Sequence, residues 1–284
     1  MSACYLAVDV GGTRLSVAVV SDDGEVLVRD RVATPNREVW AALSRVVRRV
    51  LAAAPTPPVA VGVGCGGPMD PTHRLVSPLH IPSWSSFALA DEMEALTQLP
   101  AVIDNNAKAV ALAEAWCGAA SGWRDFIAVV IGAGVGGGIV SGGRLLEGHL
   151  GNAGHIGHVV VEPEGRSCVC GGKGCLEAYC SGRAIEEETG RPPQRAPQSI
   201  VERSGLLTGR ALAMVAAVCD LRHAVIAGSV ALGFGDPFFV AARHELEQRA
   251  RLGSTQGFEV VPAVLGQSAA LVGAAALAKR ATRG

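Results

Sequence analysis

At the start of the chain the apolar positions come in short blocks and alternations, without helical spacing. Residues 4–10 (CYLAVDV) and 15–20 (LSVAVV) are β-rich runs on either side of GGT, and SDDG at 21–24 turns the chain into a third run, 25–32 (EVLVRDRV). This predicts a three-stranded meander. Over 37–53 the period changes: Val39, Trp40, Leu43, Val46, Val47, Val50 and Leu51 recur at helical spacing, PTPP then breaks the helix, and VAVGVG (59–64) reads as a buried strand. A helix over 87–98, a strand at 101–104 and a helix over 106–117 follow.

The plan then restarts. FIAVVI (126–131), a glycine-rich turn, GGIV (137–140) and a Gly142-Gly143 turn into RLLEG repeat the order of YLAVDV, GGT, RLSVAVV, SDDG and EVL. Helices are expected near 181–189, 207–220 and 236–251, the last with Asp236 as N-cap and Pro237 at the first helical position. Strands are expected at 223–227 and 258–264, and an Ala-rich helix at 268–281. The predicted fold class is α/β: two duplicated lobes, each opening with a meander, around a cleft between their strand ends.

Composition narrows the function. The 284 residues amount to slightly under two domains at roughly 150 residues each, and 49% apolar content supports a real core. Lys and Arg number 25 against 26 Asp and Glu, so there is no basic field to hold nucleic acid or an anionic membrane. No apolar run reaches the ~20 residues of a membrane helix, and MSACYLAVDVGGT shows neither a basic n-region nor a cleavage site. A cytoplasmic protein acting on a small molecule is expected.

Two residue types are unevenly spread. The 36 glycines cluster at 11–12, 62–67, 132–138, 142–143, 151–157 and 171–174, which signals tight loops and close backbone approach. Of the eight cysteines, Cys168, Cys170, Cys175 and Cys180 lie close together, and in a reducing compartment that favours metal over disulfide. His158, Cys168, Cys170 and Cys175 make a Cys3His set suited to closed tetrahedral Zn2+, although Cys-x-Cys is tighter than the usual finger spacing. Cys180 reads as a buried cysteine outside the set.

Asp9-Val10-Gly11-Gly12-Thr13 sits at a strand-to-strand turn whose backbone N–H groups can approach phosphate oxygens. Thr13 adds a hydroxyl, and Asp9 is placed to orient Mg2+ and its waters. The second loop, Gly132 through Gly138 with Gly134, Gly136 and Gly137, formally matches G-x-G-x-x-G. A dinucleotide fingerprint must open a helix, whereas these glycines run into Ile139-Val140 and a further turn. With no Gly-Lys-Ser/Thr ending either, any nucleotide would be held by the two loops as hairpins, the actin-like phosphotransferase arrangement.

These residues resemble the ROK (repressor, open reading frame, kinase) family of sugar kinases and related regulators. The resemblance rests on DVGGTR (9–14), GCGGPMD (64–70), DNNAK (104–108), GAGVGGGIVSGGRLLEG (132–148), GNAGHIGH (151–158), CVCGGKGCLEAYCSGRAI (168–185) and AGSV (227–230), which span nearly the whole chain. It implies an actin-like fold, ATP and Mg2+ as cofactors, and a structural Zn2+ on His158, Cys168, Cys170 and Cys175. Lobes of 1–105 plus 268–284 and of 106–267 are expected, with the zinc-binding insertion at about 151–182. A homodimer or homotetramer is implied as well. Related repressors carry an added N-terminal DNA-binding segment; here the first phosphate loop begins at residue 9, and no nucleic-acid partner is expected.

The resemblance also assigns a sugar site to Gly66, Gly67, Asn105, Asn106, His155, His158 and Glu177, and an adenosine-binding turn to Gly228. Two of these positions depart from the family. Related kinases have an Asn-Asp pair whose Asp is the general base; here Asn105-Asn106 stands instead, and an amide hydrogen-bonds a hydroxyl without taking its proton. A pseudokinase or sugar sensor, an Asp-to-Asn change that traps substrate, and an enzyme with another base all fit; Asp104, two residues earlier, is expected to point elsewhere. The second departure is His155, where many hexokinase-like relatives have Glu, which fits an amino- or N-acetylhexosamine as well as glucose. His80, in SPLHIPSW (77–84), stands where relatives commonly carry a sugar loop. Trp40 and Trp116 are expected on apolar helix faces, and Glu186-Glu187-Glu188 on a solvated one.

Overall fold

The structure, a computed structural model, describes residues 3–78 and 80–283. It divides into two compact units, one of residues 1–118, 147–153 and 267–284 and the other of 119–146 and 154–266. In the first, strands β1 (Cys4–Val10), β2 (Arg14–Ser21) and β3 (Val26–Ala33) form the meander and lead into helix α1 (Val39–Ala52). Strand β4 (Val61–Cys65), helix α2 (Leu89–Thr97), strand β5 (Ala101–Asn105) and helix α3 (Asn106–Cys117) follow. The second holds β6 (Phe126–Ile131), β7 (Val135–Ser141), β8 (Arg144–Leu145), α4 (Glu177–Cys180), α5 (Gly182–Thr189) and α6 (Gln198–Cys219). It continues with β9 (His223–Ala227), α7 (Ser229–Phe234), α8 (Asp236–Arg249) and β10 (Glu259–Pro262), and α9 (Ala269–Arg283) returns to the first unit.

Strand order in the first sheet is β3-β2-β1-β4-β5, with the meander antiparallel and β1, β4 and β5 parallel. The second sheet runs β8-β7-β6-β9-β10 with the same directions. The repeated sequence plan is therefore a repeated topology, the actin-like α/β arrangement. Among the described residues no helix is long and apolar enough to cross a membrane.

Burial explains the strand patterns. β1 lies inside its sheet and is apolar on both faces, whereas the edge strand β3 alternates half-buried and exposed positions. Val39, Leu43, Val46, Val47 and Val50 of α1 cover one sheet face; Leu271, Ala274, Ala275 and Ala278 of α9 cover the other through Tyr5, Ala7, Ala18 and Val20. The contacts carry the first unit to Gly118, beyond the boundary at 105 read from sequence, because α3 packs on α9. A Cβ on Gly273 would stand 2.3 Å from the Ala109 carbonyl oxygen, so these two small-residue helices are in backbone contact.

Three local readings change. The helix expected to start at 207 starts at Gln198, and its Gly205 and Gly209 lie where a Cβ would come within 2.2 Å of the Phe238 and Ala242 carbonyl oxygens of α8. Glycines that resemble breakers are there to let two helices touch. Asp236 is the first residue of α8 and Gly235 its N-cap. Finally, β7 begins at Val135, so Gly136 and Gly137 are strand residues paired with Val130 and Val129, and the turn itself is confined to 132–134.

Candidate active site and metal centre

In the first unit the polar residues collect at the carboxyl ends of the parallel strands. Asp9 of β1, Gly64 of β4 and Asp104 of β5 share one register row, and Val10, Cys65 and Asn105 form the next. The Gly11–Thr13 turn is closed by Gly11 N–H donating to the Arg14 carbonyl at 3.0 Å. Thr34 braces it, its Oγ1 donating to the Gly11 carbonyl at 2.7 Å and its N–H to that of Thr13 at 3.1 Å. Gly12 and Thr13 are exposed. Burial pushes the Asp9 carboxyl up to about 6, against the lowering effect of Arg14.

Gly66 and Gly67 follow β4 and are half-buried. The segment carrying His80 lies over the Gly11–Thr13 turn: a Cβ on Gly12 would fall 2.4 Å from His80 Cβ. Asn105 is the N-cap of α3, its Oδ1 accepting from Ala107 N–H at 2.9 Å. Asn106 is the first residue of the helix, is half-buried, and its side chain has no hydrogen bond among the described residues. Asp104 is buried and committed elsewhere, to Lys108 Nζ at 2.9 Å and Asn105 N–H at 2.7 Å. Burial raises its pKa while Lys108 opposes the shift.

In the second unit, Gly132 N–H donates to the Gly134 carbonyl at 2.9 Å, and Gly182 N–H, at the start of α5, donates to the Gly132 carbonyl at 2.7 Å. Gly228 joins this turn. Its φ is +99°, and a Cβ there would lie 2.2 Å from the Ile131 carbonyl oxygen, so only glycine fits. Glu177 also reaches the turn, Oε2 accepting from Val135 N–H at 2.7 Å. Gly137 instead serves packing, since a Cβ would stand 3.0 Å from the Gly154 carbonyl oxygen.

His158, Cys168, Cys170 and Cys175 converge, their ligand atoms all within 4.8 Å of one another. Cys168 Sγ is 3.7 Å from His158 Nδ1, and Cys170 Sγ is 3.7 Å from Cys175 Sγ. Tetrahedral Zn2+ with Zn–S bonds of about 2.3 Å puts sulfurs about 3.8 Å apart, so the donor set fits zinc. A tight turn, closed by Cys168 N–H on the Gly172 carbonyl at 2.8 Å, presents the middle of the loop. Burial raises the Cys168 thiol and pushes Cys175 up to about 12, whereas the Gly172 N–H lowers Cys170. His155, exposed, stacks on His158 with ring centres 6.2 Å apart. Cys180 is buried, bonds the Ser204 carbonyl at 3.5 Å, and stands outside the cluster.

The stem of the loop from Cys168 to Cys175 is held by pairings that the sequence does not show. The acidic run 186–188 is exposed as expected, and within it Glu188 also pairs with Arg166 at 2.6 Å and with Arg203 at 2.7 Å. Both guanidinium groups lie over the Tyr179 ring, 4.9 and 5.6 Å from its centre, and the Tyr179 hydroxyl accepts from Arg166 N–H at 2.8 Å. Lys108 was likewise missed, because a lysine in a helical pattern reads as a solvated position.

A family model described as the ROK family matches residues 5–281. An N-acetylmannosamine kinase from Escherichia fergusonii is 35% identical over 251 residues, covering 81% of this chain and 84% of that protein. Among solved structures, a ROK hexokinase from Thermus thermophilus superposes with a TM-score of 0.86 at 30% identity over 99% of each chain. A ROK family glucokinase from Streptomyces griseus, in complex with glucose and AMPPNP, gives 0.83 at 29% identity over 98% of this chain and 99% of that one.

Proposed function

The chain belongs to the ROK family, and on that premise we propose that it is an ATP-dependent kinase of a hexose or N-acetylhexosamine, transferring phosphate to a sugar hydroxyl, the 6-OH by resemblance. The observation that carries this reading is a repeat: each of two sheets of equal order has a short glycine turn at the same place, Gly11–Thr13 after β1 and 132–134 after β6. Both turns offer backbone N–H groups to phosphate oxygens. The nucleotide analogue and glucose bound by the Streptomyces griseus relative support ATP and sugar as ligands here. The 35% identity to an N-acetylmannosamine kinase, together with His155, favours an N-acetylhexosamine.

In this reading Gly11, Gly12, Thr13, Gly132 and Gly134 hold phosphate, Gly228 shapes the adenosine turn, and Asp9 orients Mg2+. Bound Mg2+ supplies neutralisation of phosphate charge. Asn105, Asn106, His155, His158, Glu177 and the Gly66-Gly67 turn are assigned to the sugar. Asn106 orients the attacking hydroxyl by hydrogen bonding and leaves it protonated, so transfer is slow. His158, Cys168, Cys170 and Cys175 would hold Zn2+ with no open position, which makes its contribution structural. Asn106 equally favours a second reading, a sugar sensor without turnover. Calorimetry with N-acetylmannosamine and glucose, paired with a coupled assay of ADP release, tests both. Binding with slow ADP release that Asn106→Asp accelerates supports the kinase; binding with no release in either protein supports the sensor.

A further inference from the structure

Lys108 is 1% exposed, one of the largest fully buried side chains among the described residues. An ammonium carries three N–H donors and is costly to bury unless they are satisfied. Here they meet three acceptors: Asp104 Oδ2 at 2.9 Å, Glu147 Oε2 at 2.5 Å and the Gly151 carbonyl at 3.0 Å. Every donor is engaged. What it does is join pieces of chain.

The first piece is the corner between β5 and α3, where Asp104 precedes Asn105 and Asn106. The second is segment 147–153, which has neither helix nor strand and belongs to the first unit although the residues before and after it belong to the second. Within it Ala153 N–H donates to the Glu147 carbonyl at 3.0 Å, Gly151 N–H to that of Gly148 at 3.5 Å, and Asn152 Nδ2 to that of Leu150 at 2.8 Å. Lys108 grips it at Glu147 and again at Gly151. His73 adds a stop: its Nδ1 lies 3.2 Å from the Ile103 carbonyl oxygen, and its Nε2 is 2.1 Å from where a Gly151 Cβ would stand. Two residues beyond this segment comes His155. On that side Gly154 is seated on β7, a Cβ there falling 2.6 Å from the Gly137 carbonyl oxygen.

We propose that Lys108 is a positioning residue for sugar recognition, clamping segment 147–153 to the β5–α3 corner and so fixing the course of the chain into His155. This rests on the sugar-kinase reading. The test is calorimetry on the full chain with N-acetylmannosamine and, separately, AMPPNP, comparing wild type with Lys108→Met, Glu147→Ala, His155→Ala and the Lys108→Met/His155→Ala pair. Lys108→Met and Glu147→Ala should each raise the sugar Kd by about tenfold and move the AMPPNP Kd by less than about twofold, and Lys108→Met should add little once His155 is gone. A sugar Kd that stays within about twofold of wild type, or effects that add fully in the pair, overturns the proposal.

Glu147→Ala keeps the buried Lys108–Asp104 pair and carries the test if Lys108→Met does not fold. If the wild type binds neither N-acetylmannosamine nor glucose, the sugar-kinase reading fails and the specificity role falls with it. Hydrogen exchange at 151–156 then decides whether the clamp itself stands: faster exchange in Glu147→Ala supports it, and unchanged exchange removes it.

Discussion

Glu177 accepts the backbone N–H of Val135 at 2.7 Å, and Glu177 lies two residues after Cys175 of the cysteine-histidine cluster. A carboxylate assigned to the sugar thus also braces the second glycine turn. A hydrogen bond to a charged group is worth about 1.5–3 kcal/mol, so Glu177→Ala is expected to raise the AMPPNP Kd by about tenfold or more. Glu177→Gln retains an acceptor oxygen and should raise it less. Titration calorimetry separates the two roles: a purely sugar-contacting Glu177 would shift the sugar Kd and leave the AMPPNP Kd in place.

Asn106 stands at the start of α3 with its side chain unbonded among the described residues, a position open to a carboxylate without repacking. General-base assistance is worth roughly 10²–10⁴-fold. Asn106→Asp should raise kcat by a factor in that range, leave sugar affinity nearly constant, and introduce an acid limb in the pH profile. Steady-state ADP release from pH 5 to pH 9 checks this. Equal rates in both proteins would remove position 106 from proton transfer.

Asp9, proposed above to orient Mg2+, also bears on stability. Its carboxyl, ordinarily at 3.8, is pushed up to about 6 by burial. The folded state therefore favours the protonated acid: the contribution is intact below about pH 4 and is lost as pH rises through about 6, a loss of at most about 3 kcal/mol. Without Mg2+ and nucleotide, Asp9→Asn should be more stable than wild type above about pH 7 and converge with it in acid. Mg2+ with AMPPNP should then stabilise wild type more than the variant. Thermal melts across this pH range provide the measurement, and parallel pH curves for the two proteins would contradict the expectation.

Much of the fold was legible because strand and helix periods are sharp here: the meander, α1, and the restart at β6 follow directly from alternating and helical spacing. The duplication was legible for the same reason. What escaped were features set by packing at a distance. Gly205 and Gly209 weaken a helix by propensity, and only their contact with the α8 carbonyls explains why α6 runs through them. Asp104 points away from the sugar position as the sequence suggests, but its partner, a lysine one helical turn away, is not legible there. The cysteine-histidine cluster was legible from spacing plus family pattern, but its arginine-rich stem was not, since Arg166, Arg203 and Glu188 are dispersed in sequence.

That stem shapes the expected response to metal removal. Arg166 and Arg203 hold Glu188, and Arg210 holds the Val161 carbonyl at 3.0 Å and Glu245 at 3.1 Å, all without any metal ligand. Chelation should therefore loosen the loop from Cys168 to Cys175 and leave the second unit folded. With Cys175 two residues from Glu177, the looseness should reach the 132–134 turn and weaken AMPPNP binding while far-UV circular dichroism stays near native. The thiols give the pH dependence. Burial holds Cys168 above the ordinary thiol value and Cys175 at about 12, so both carry protons at neutral pH without metal, and Zn2+ must displace them. Zn2+ affinity should fall as pH falls, and calorimetry in buffers of different ionisation enthalpy should register proton release. Cys175→Ser should abolish the tight site, whereas Cys180→Ser, outside the cluster, should keep its zinc. Metal analysis of the purified variants, with equal zinc in wild type and Cys175→Ser as the contrary result, decides the assignment.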